Sequence, residues 1–204
     1  MKKRMMAALA AATVMFAAPA AAQVTFTGTS AGCFGAACAP ILGASVNGGL
    51  TYTGSSFNQT TDNTGFLALG GTSDGLGTFT LTGLTDTYTG DIFRLLVSFT
   101  APTSTPSNTT FETLLQGTVT GMNAGGVFVN FDNAVRTFAS SAGPFTFALN
   151  DVSISSNSAT QIVSGQIQAA VPEPGTWAMM LIGFGGMGVA LRRRRSATMI
   201  SQIA

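Results

Sequence analysis

Three small groups of residues in this sequence have the types and spacings that can support chemistry. Cys33 and Cys38 are the only cysteines, separated by four residues in Cys33-Phe-Gly-Ala-Ala-Cys38. In an oxidising compartment such a pair closes a small disulfide loop. Two thiolates alone supply at best half of a zinc shell, and a redox pair ordinarily has two intervening residues, so the structural pairing is the expected one. Asp86 and Asp91 lie close together in Thr85-Asp-Thr-Tyr-Thr-Gly-Asp91. Two carboxylates are what a glycosidase uses, and loop oxygens near Asp86 and Asp91, or near Asp62 and Asp74, are of the kind that hold Ca²⁺. No loop here has the ligand density a cation needs, which makes solvated turn carboxylates the plainer reading. The third group is Pro172-Glu173-Pro174, followed by the single tryptophan, Trp177. Each proline fixes its own φ and pushes the residue before it towards extended geometry. The product is a stiff segment with one exposed carboxylate, which a processing enzyme can grip at little ordering cost.

What is missing narrows the chemistry further. The chain has no histidine, so the usual general base and the Ser-His-Asp arrangement are both unavailable. No nucleophile elbow, phosphate loop or metalloprotease helix occurs. The expectation is a protein that is not an enzyme, with no catalytic residues, no metal and no cofactor. Tyr52, Tyr88 and the phenylalanines can stack on sugar rings. Phenylalanine at alternating positions belongs to a core, which leaves the two tyrosines as the surface candidates.

The two ends of the chain read as targeting segments. Lys2, Lys3 and Arg4 precede an apolar stretch from Met5 to Ala18, and Ala20-Ala21-Ala22 precedes Gln23. This is the pattern of a secretory signal peptide over 1–22, cut after Ala22 with Ala20 and Ala22 as the small residues of the site. An uncleaved membrane anchor is the competing reading. With no Arg-Arg pair in this region, the general secretion route and its signal peptidase are the expected partners. At the other end, Gly175 to Leu191 carries no charge. A helix of this length spans roughly 25 Å at ~1.5 Å per residue, the short end of what crosses a hydrocarbon core of ~30 Å. The alternative is a buried C-terminal helix of a soluble domain. Gly183, Gly185, Gly186 and Gly188 argue against it, since each weakens a helix in water by ~1 kcal/mol relative to alanine. Small residues also let helices approach closely in lipid. Arg192, Arg193, Arg194 and Arg195 then form a stop-transfer block that stays on the cytoplasmic side, leaving 196–204 as a short cytoplasmic tail. A nucleic-acid patch is the other use of such a run, but its place directly after an apolar segment speaks against it.

Taken together, Pro172-Glu173-Pro174 with Trp177, then Ala178-Met179-Met180, the Gly-Phe-Gly-Gly-Met-Gly run and the arginines closely resemble the PEP-CTERM sorting domain of Gram-negative bacteria. The resemblance covers roughly Val171 to Arg195. It implies recognition by an exosortase, a multispanning membrane enzyme with a cysteine nucleophile that cuts near the Pro-Glu-Pro motif. Proteins with this tail are typically exported, and they often accompany exopolysaccharide and biofilm production.

Between the targeting segments lies a part of about 148 residues, 23–170, long enough for one domain with a real core. It carries seven carboxylates against Arg94 and Arg136, a net charge of −5, and no lysine. The whole-chain charge of +1 therefore belongs to the ends, and an acidic, lysine-free surface argues against nucleic acid as a partner. More than a quarter of its residues are Ser or Thr, which raises the prospect of a disordered stalk. Period-two alternation argues instead for half-buried strands, most plainly in Gly77–Thr82 and Pro144–Leu149. Further strands are predicted over Val24–Thr29, Leu50–Thr53, Phe66–Leu69, Ile92–Thr100, Thr113–Val119, Val127–Phe131, Val135–Ala139, Val152–Ser155 and Gln161–Gln168. Turn clusters such as Asn47-Gly-Gly and Thr61-Asp-Asn-Thr-Gly separate them. Eight to ten short strands make an all-β fold: a single β-sandwich over 23–170, jelly-roll-like in one version, flanked by an N-terminal signal helix and a C-terminal transmembrane helix. The functional expectation is an exosortase-sorted structural or adhesive protein of the cell surface or extracellular matrix, transiently anchored in the inner membrane. The alternative is a carbohydrate-binding module for the producer's own polysaccharide. A concave face with exposed aromatics would favour the module, and a threonine-covered surface would favour assembly or a passive coat.

Overall fold

The computed structural model describes residues 23–71, 75–121, 124–132, 134–156, 160–170, 179–189 and 192. The chain divides into two units, Ala21–Pro172 and a terminal unit of Met1–Ala20 with Glu173–Ala204. In the first unit the described residues form strands β1 (Thr25–Phe34), β2 (Ala44–Asn47), β3 (Leu50–Thr53), β4 (Ser55–Thr60), β5 (Phe66–Leu69), β6 (Thr78–Leu81), β7 (Asp86–Thr87), β8 (Ile92–Ala101) and β9 (Ser104–Thr105). They continue as β10 (Asn108–Gln116), β11 (Thr118–Gly121), β12 (Ala124–Val129), β13 (Arg136–Ser140), β14 (Phe145–Leu149), β15 (Val152–Ser155), β16 (Thr160–Ile162) and β17 (Gly165–Ala169). Three antiparallel sheets result. The largest has eight strands in the order β4-β1-β8-β10-β12-β11-β7, with β15 also paired to β12; the others are β5-β17-β14-β13-β9 and β16-β6-β3-β2.

Alternation explains the long strands. In β8 the residues Phe93, Leu95, Val97 and Phe99 all point inward, each at most 4% exposed, while their neighbours stay half-buried. The inner face of the large sheet meets both smaller sheets through aromatic rings. Phe26 and Phe99 pack on Phe145 of the five-stranded sheet at centroid distances of 4.8 and 5.1 Å. Phe93 packs on Tyr52 and Phe79 of the four-stranded sheet, both at 5.0 Å. These edge-on and tilted contacts suit the ring quadrupole, and all the rings belong to one continuous core.

More strands are present than the sequence predicts, for three physical reasons. The expected strand over Thr113–Val119 is split into β10 and β11 by Gly117, whose φ of +123° lies where side chains are strained. Gln161–Gln168 is likewise two strands. Val163 N–H donates to the Gly77 carbonyl at 2.9 Å, and the chain leaves the four-stranded sheet there and joins the five-stranded one. Strands β2 and β4 escaped prediction because edge strands are held by pairing on one side; β2 buries no side chain fully and β4 only Phe57. By contrast β3, β5 and β15 fall on the expected boundaries.

Strand β1 extends five residues past its predicted end. Its inward positions after Phe26 are Gly28, Ser30 and Gly32, all buried yet without a hydrophobic signal. A Cβ on Gly32 would stand 2.5 Å from both Cδ1 and Cε1 of Tyr52 and 2.9 Å from Cζ of Phe93. The missing side chain is therefore the seat of the Tyr52 ring. Gly32→Ala should lower unfolding stability by about 1–3 kcal/mol through overpacking, read as a lower urea midpoint with unchanged slope. An unshifted midpoint would show that the ring does not rest there.

Candidate functional site

Cys33 lies near the end of β1, 4% exposed, and is disulfide-bonded to Cys38 with a Cα–Cα distance of 5.9 Å. Gly35 N–H donates to the Ile92 carbonyl at 2.8 Å, and Gly32 and Ile41 exchange backbone hydrogen bonds at 3.0 and 3.2 Å. The closed loop thus folds back on β1 and is stitched at its base. Replacing both cysteines by serine should cost about 2 kcal/mol by the loop-entropy estimate, measured by denaturant unfolding.

Of the carboxylates singled out in the sequence, Asp62 acts alone, whereas Asp86 and Asp91 both bear on the Tyr88 phenol. Asp62 Oδ1 accepts from Thr64 N–H at 2.8 Å, Thr64 Oγ1 at 2.7 Å and Phe66 N–H at 2.9 Å. The Thr64 hydroxyl, then the Phe66 and Thr64 amides, hold this carboxyl below its ordinary range. Asp91 accepts from Asn47 Nδ2 at 2.7 Å and Asp86 from Thr87 N–H at 2.8 Å. Asp74 lies outside the described residues. Among the described residues no three of Cys, Asp and Glu gather around one point.

The tyrosines correct the sequence reading. Both Tyr52 and Tyr88 are fully buried at 0% exposure, so neither offers a ring to a sugar. The reason is local. Each phenol reaches a backbone group that would otherwise be stranded in the core: Tyr52 donates its one hydroxyl proton to the Leu76 carbonyl at 2.7 Å and lies 3.2 Å from Ser30 Oγ, and Tyr88 accepts from Gly49 N–H at 3.0 Å. With alternation alone, a buried tyrosine cannot be told from an exposed one; the cues were the glycines beside each phenol, Gly32 at Tyr52 and Gly48 and Gly49 at Tyr88.

The outer face of the four-stranded sheet is built from threonine. The pairings align Val46, Thr51, Thr80 and Thr160 in one row across β2, β3, β6 and β16, and Ala44, Thr53, Thr78 and Ile162 in the next. Thr80 and Thr160 hydroxyls lie 3.4 Å apart. No charge stands in either row. The two arginines of this unit are engaged elsewhere: Arg94 pairs with Glu112 at 2.7 Å, and Arg136 lies 5.5 Å over the Phe111 ring.

In the terminal unit, residues 179–189 form a helix. Its apolar side chains are uncovered on every side; Met179, Leu181, Ile182, Phe184, Met187 and Val189 are each 59–71% exposed. Arg192 is also helical and exposed. Among the described residues no helix is long and apolar enough to cross a membrane. Residues 1–22 with Ala20 and Ala22, the Pro172-Glu173-Pro174 motif with Trp177, and Arg193, Arg194 and Arg195 lie outside the described residues.

Residues 170–195 match the family model of the PEP-CTERM protein-sorting motif. A motif of this kind implies export, processing by an exosortase and a C-terminal anchor that is cut. Among curated proteins and among solved structures, none matches the chain.

Burial raises both phenols, the Ser30 contact partly offsetting this at Tyr52 and the Gly49 amide at Tyr88. Unfolding lets both ionise near the ordinary value of about 10. The unfolded chain then binds fewer protons than the native one, so stability should be full below that pH and fall as pH rises above it. Absorbance titration of the folded protein should show no phenolate at the free-tyrosine midpoint; two phenols titrating there would contradict their burial. Tyr52→Phe should cost about 1–3 kcal/mol by leaving the Leu76 carbonyl unpaired.

Proposed function

We propose that this is a structural or adhesive protein of the cell surface or of an exopolysaccharide-rich biofilm matrix, exported and released by an exosortase, and catalysing no reaction itself. The carrying observation is the sorting motif over 170–195, set directly behind an all-β unit. In this reading 1–22 is a signal peptide cut after Ala22. Gly175–Leu191 tethers the protein to the inner membrane, and Arg192 to Arg195 hold its end in the cytoplasm. Uncovered apolar side chains over 179–189 support the tether, because a helix apolar all round needs a non-aqueous surrounding.

For the exported part we propose a β-sandwich that assembles or coats rather than reads a ligand. The uncharged threonine rows of the four-stranded sheet support this, and so does the burial of both tyrosines, which takes away the rings that favoured sugar stacking. Asp62 is tied to its own turn, Asp91 to the Asn47 amide and Glu112 to Arg94.

The test replaces Pro172, Glu173 and Pro174 together by alanine and expresses both proteins with and without an exosortase. Wild type should lose its tail and leave the membrane fraction only where the enzyme is present, while the triple variant stays anchored in both hosts. Equal release of the two proteins would sink the sorting mechanism.

A further inference from the structure

The β unit carries its charge unevenly. From Gln23 to Thr61, which covers β1 to β4, no residue is charged; the carboxylates and both arginines fall between Asp62 and Asp151. Two copies of so acidic a unit repel one another except where the neutral portion forms the surface. Within that portion the stretch from Ile41 to Val46 stands out. Ile41, Leu42 and Val46 are 49, 52 and 63% exposed, three of the seven large apolar side chains that the unit's described residues leave in water.

The same stretch is an open edge. Strand β2 is last in its sheet and pairs only with β3, from Ala44 opposite Thr53 to Asn47 opposite Leu50. Ile41 is bonded to Gly32 of β1, but among the described residues no backbone hydrogen bond reaches Leu42 to Asn47 from any strand other than β3. The outward-pointing N–H and C=O groups of such a strand are a template for another strand, and proteins ordinarily blunt them with proline, charge or brevity. Strand β9 has two residues set between Pro102 and Pro106, and β7 has two, one of them Asp86. Strand β4 exposes only Ser56, Asn58 and Thr60. In β2 there is neither proline nor charge, and Val46 is uncovered.

Charge also selects the orientation of a partner. Asn47 donates to Asp91 at 2.7 Å, and Asp86 Oδ2 stands where a Gly48 Cβ would be, so two carboxylates lie at the C-terminal end of β2. A parallel copy would bring them against their counterparts. An antiparallel copy, related by a two-fold axis at Ser45, sets Asn47 four residues from its counterpart, ~14 Å along the strand at ~3.4 Å per residue. That exceeds the Debye length of ~8 Å at physiological salt. Ala44 then faces Val46 of the copy on the outer side, and each threonine row runs on across the junction. Such a contact is self-complementary and closes at two copies.

We propose that β2 is the docking edge for a second copy of this chain, joined antiparallel so that two four-stranded sheets become one. This deepens the assembly reading above and rests on it. Sedimentation of the full chain in detergent over a range of protein concentrations should show a monomer–dimer equilibrium. Val46→Lys puts a charge at the junction and should weaken association by about tenfold or more. Because the unit is acidic, an added lysine lowers its overall repulsion, so the weakening can come only from the junction. Val135→Lys, at a valine 60% exposed and outside β2, should leave association no weaker. Hydrogen exchange needs no variant: the Ala44 to Val46 segment should gain protection as concentration rises. A wild-type chain that stays monomeric removes self-assembly and the docking edge together. Equal association of Val46→Lys, or no added protection in β2, keeps assembly and removes β2 as its seat; contact through the terminal helix would give that result. Equal weakening by both lysines would also overturn the proposal.

Discussion

The four-stranded half of the domain depends on how closely one aromatic ring can lie against a strand. The Tyr52 ring fills the place where Gly32 has no side chain, and from there its hydroxyl reaches the Leu76 carbonyl and Ser30. Ser30 Oγ in turn accepts from Ser55 N–H at 3.1 Å. One phenol thus joins β1 and β3 to the segment before β6 and, through Ser30, to the start of β4. Polar groups buried in this way stabilise only when every member is satisfied, and here the chain of partners closes. Phe93 and Phe79 then pack at a tilt around the same ring at 5.0 and 5.1 Å, so the aromatic core and the hydrogen-bond network share a centre.

This packing accounts for a division of labour along the chain. The domain has one continuous apolar core, with neutral hydroxyls over the outer face of its four-stranded sheet and no cluster of three or more carboxylates and thiols among its described residues. The recognisable instruction resides instead in the 26-residue stretch 170–195. A sorting signal has to be read by an enzyme, so its residue types are constrained one by one. On the proposed reading, a coat or matrix surface is constrained only in being folded and uncharged where copies meet, and many sequences satisfy that.

Legibility followed the same line. Strands with strict alternation, such as Leu50–Thr53, Phe66–Leu69 and Val152–Ser155, were readable because one face is buried and the other wet. Edge strands were not, since pairing rather than burial holds β2 and β4. Gly117 was visible as a residue but not as a break, because only its backbone angle divides β10 from β11. The tyrosines misled for a related reason: their amphipathic side chains suit a surface or a core equally well, and the deciding residues, Gly32 at Tyr52 and Gly49 at Tyr88, are distant in sequence and carry no hydropathy signal. The Asp62 turn was legible as a turn. Its bonds to Val24, at 2.9 and 3.0 Å, and to Ala169, at 2.8 Å, were not, because they join residues brought together only by the completed sheets.

Arg94 and Arg136 stand within strands, β8 and β13, and they are the only basic side chains between Gln23 and Ala170. A trypsin-like protease therefore finds no lysine or arginine in any loop of this domain. Even after unfolding, the stretch from Gln23 to Ala170 would yield only three fragments, cut after Arg94 and Arg136.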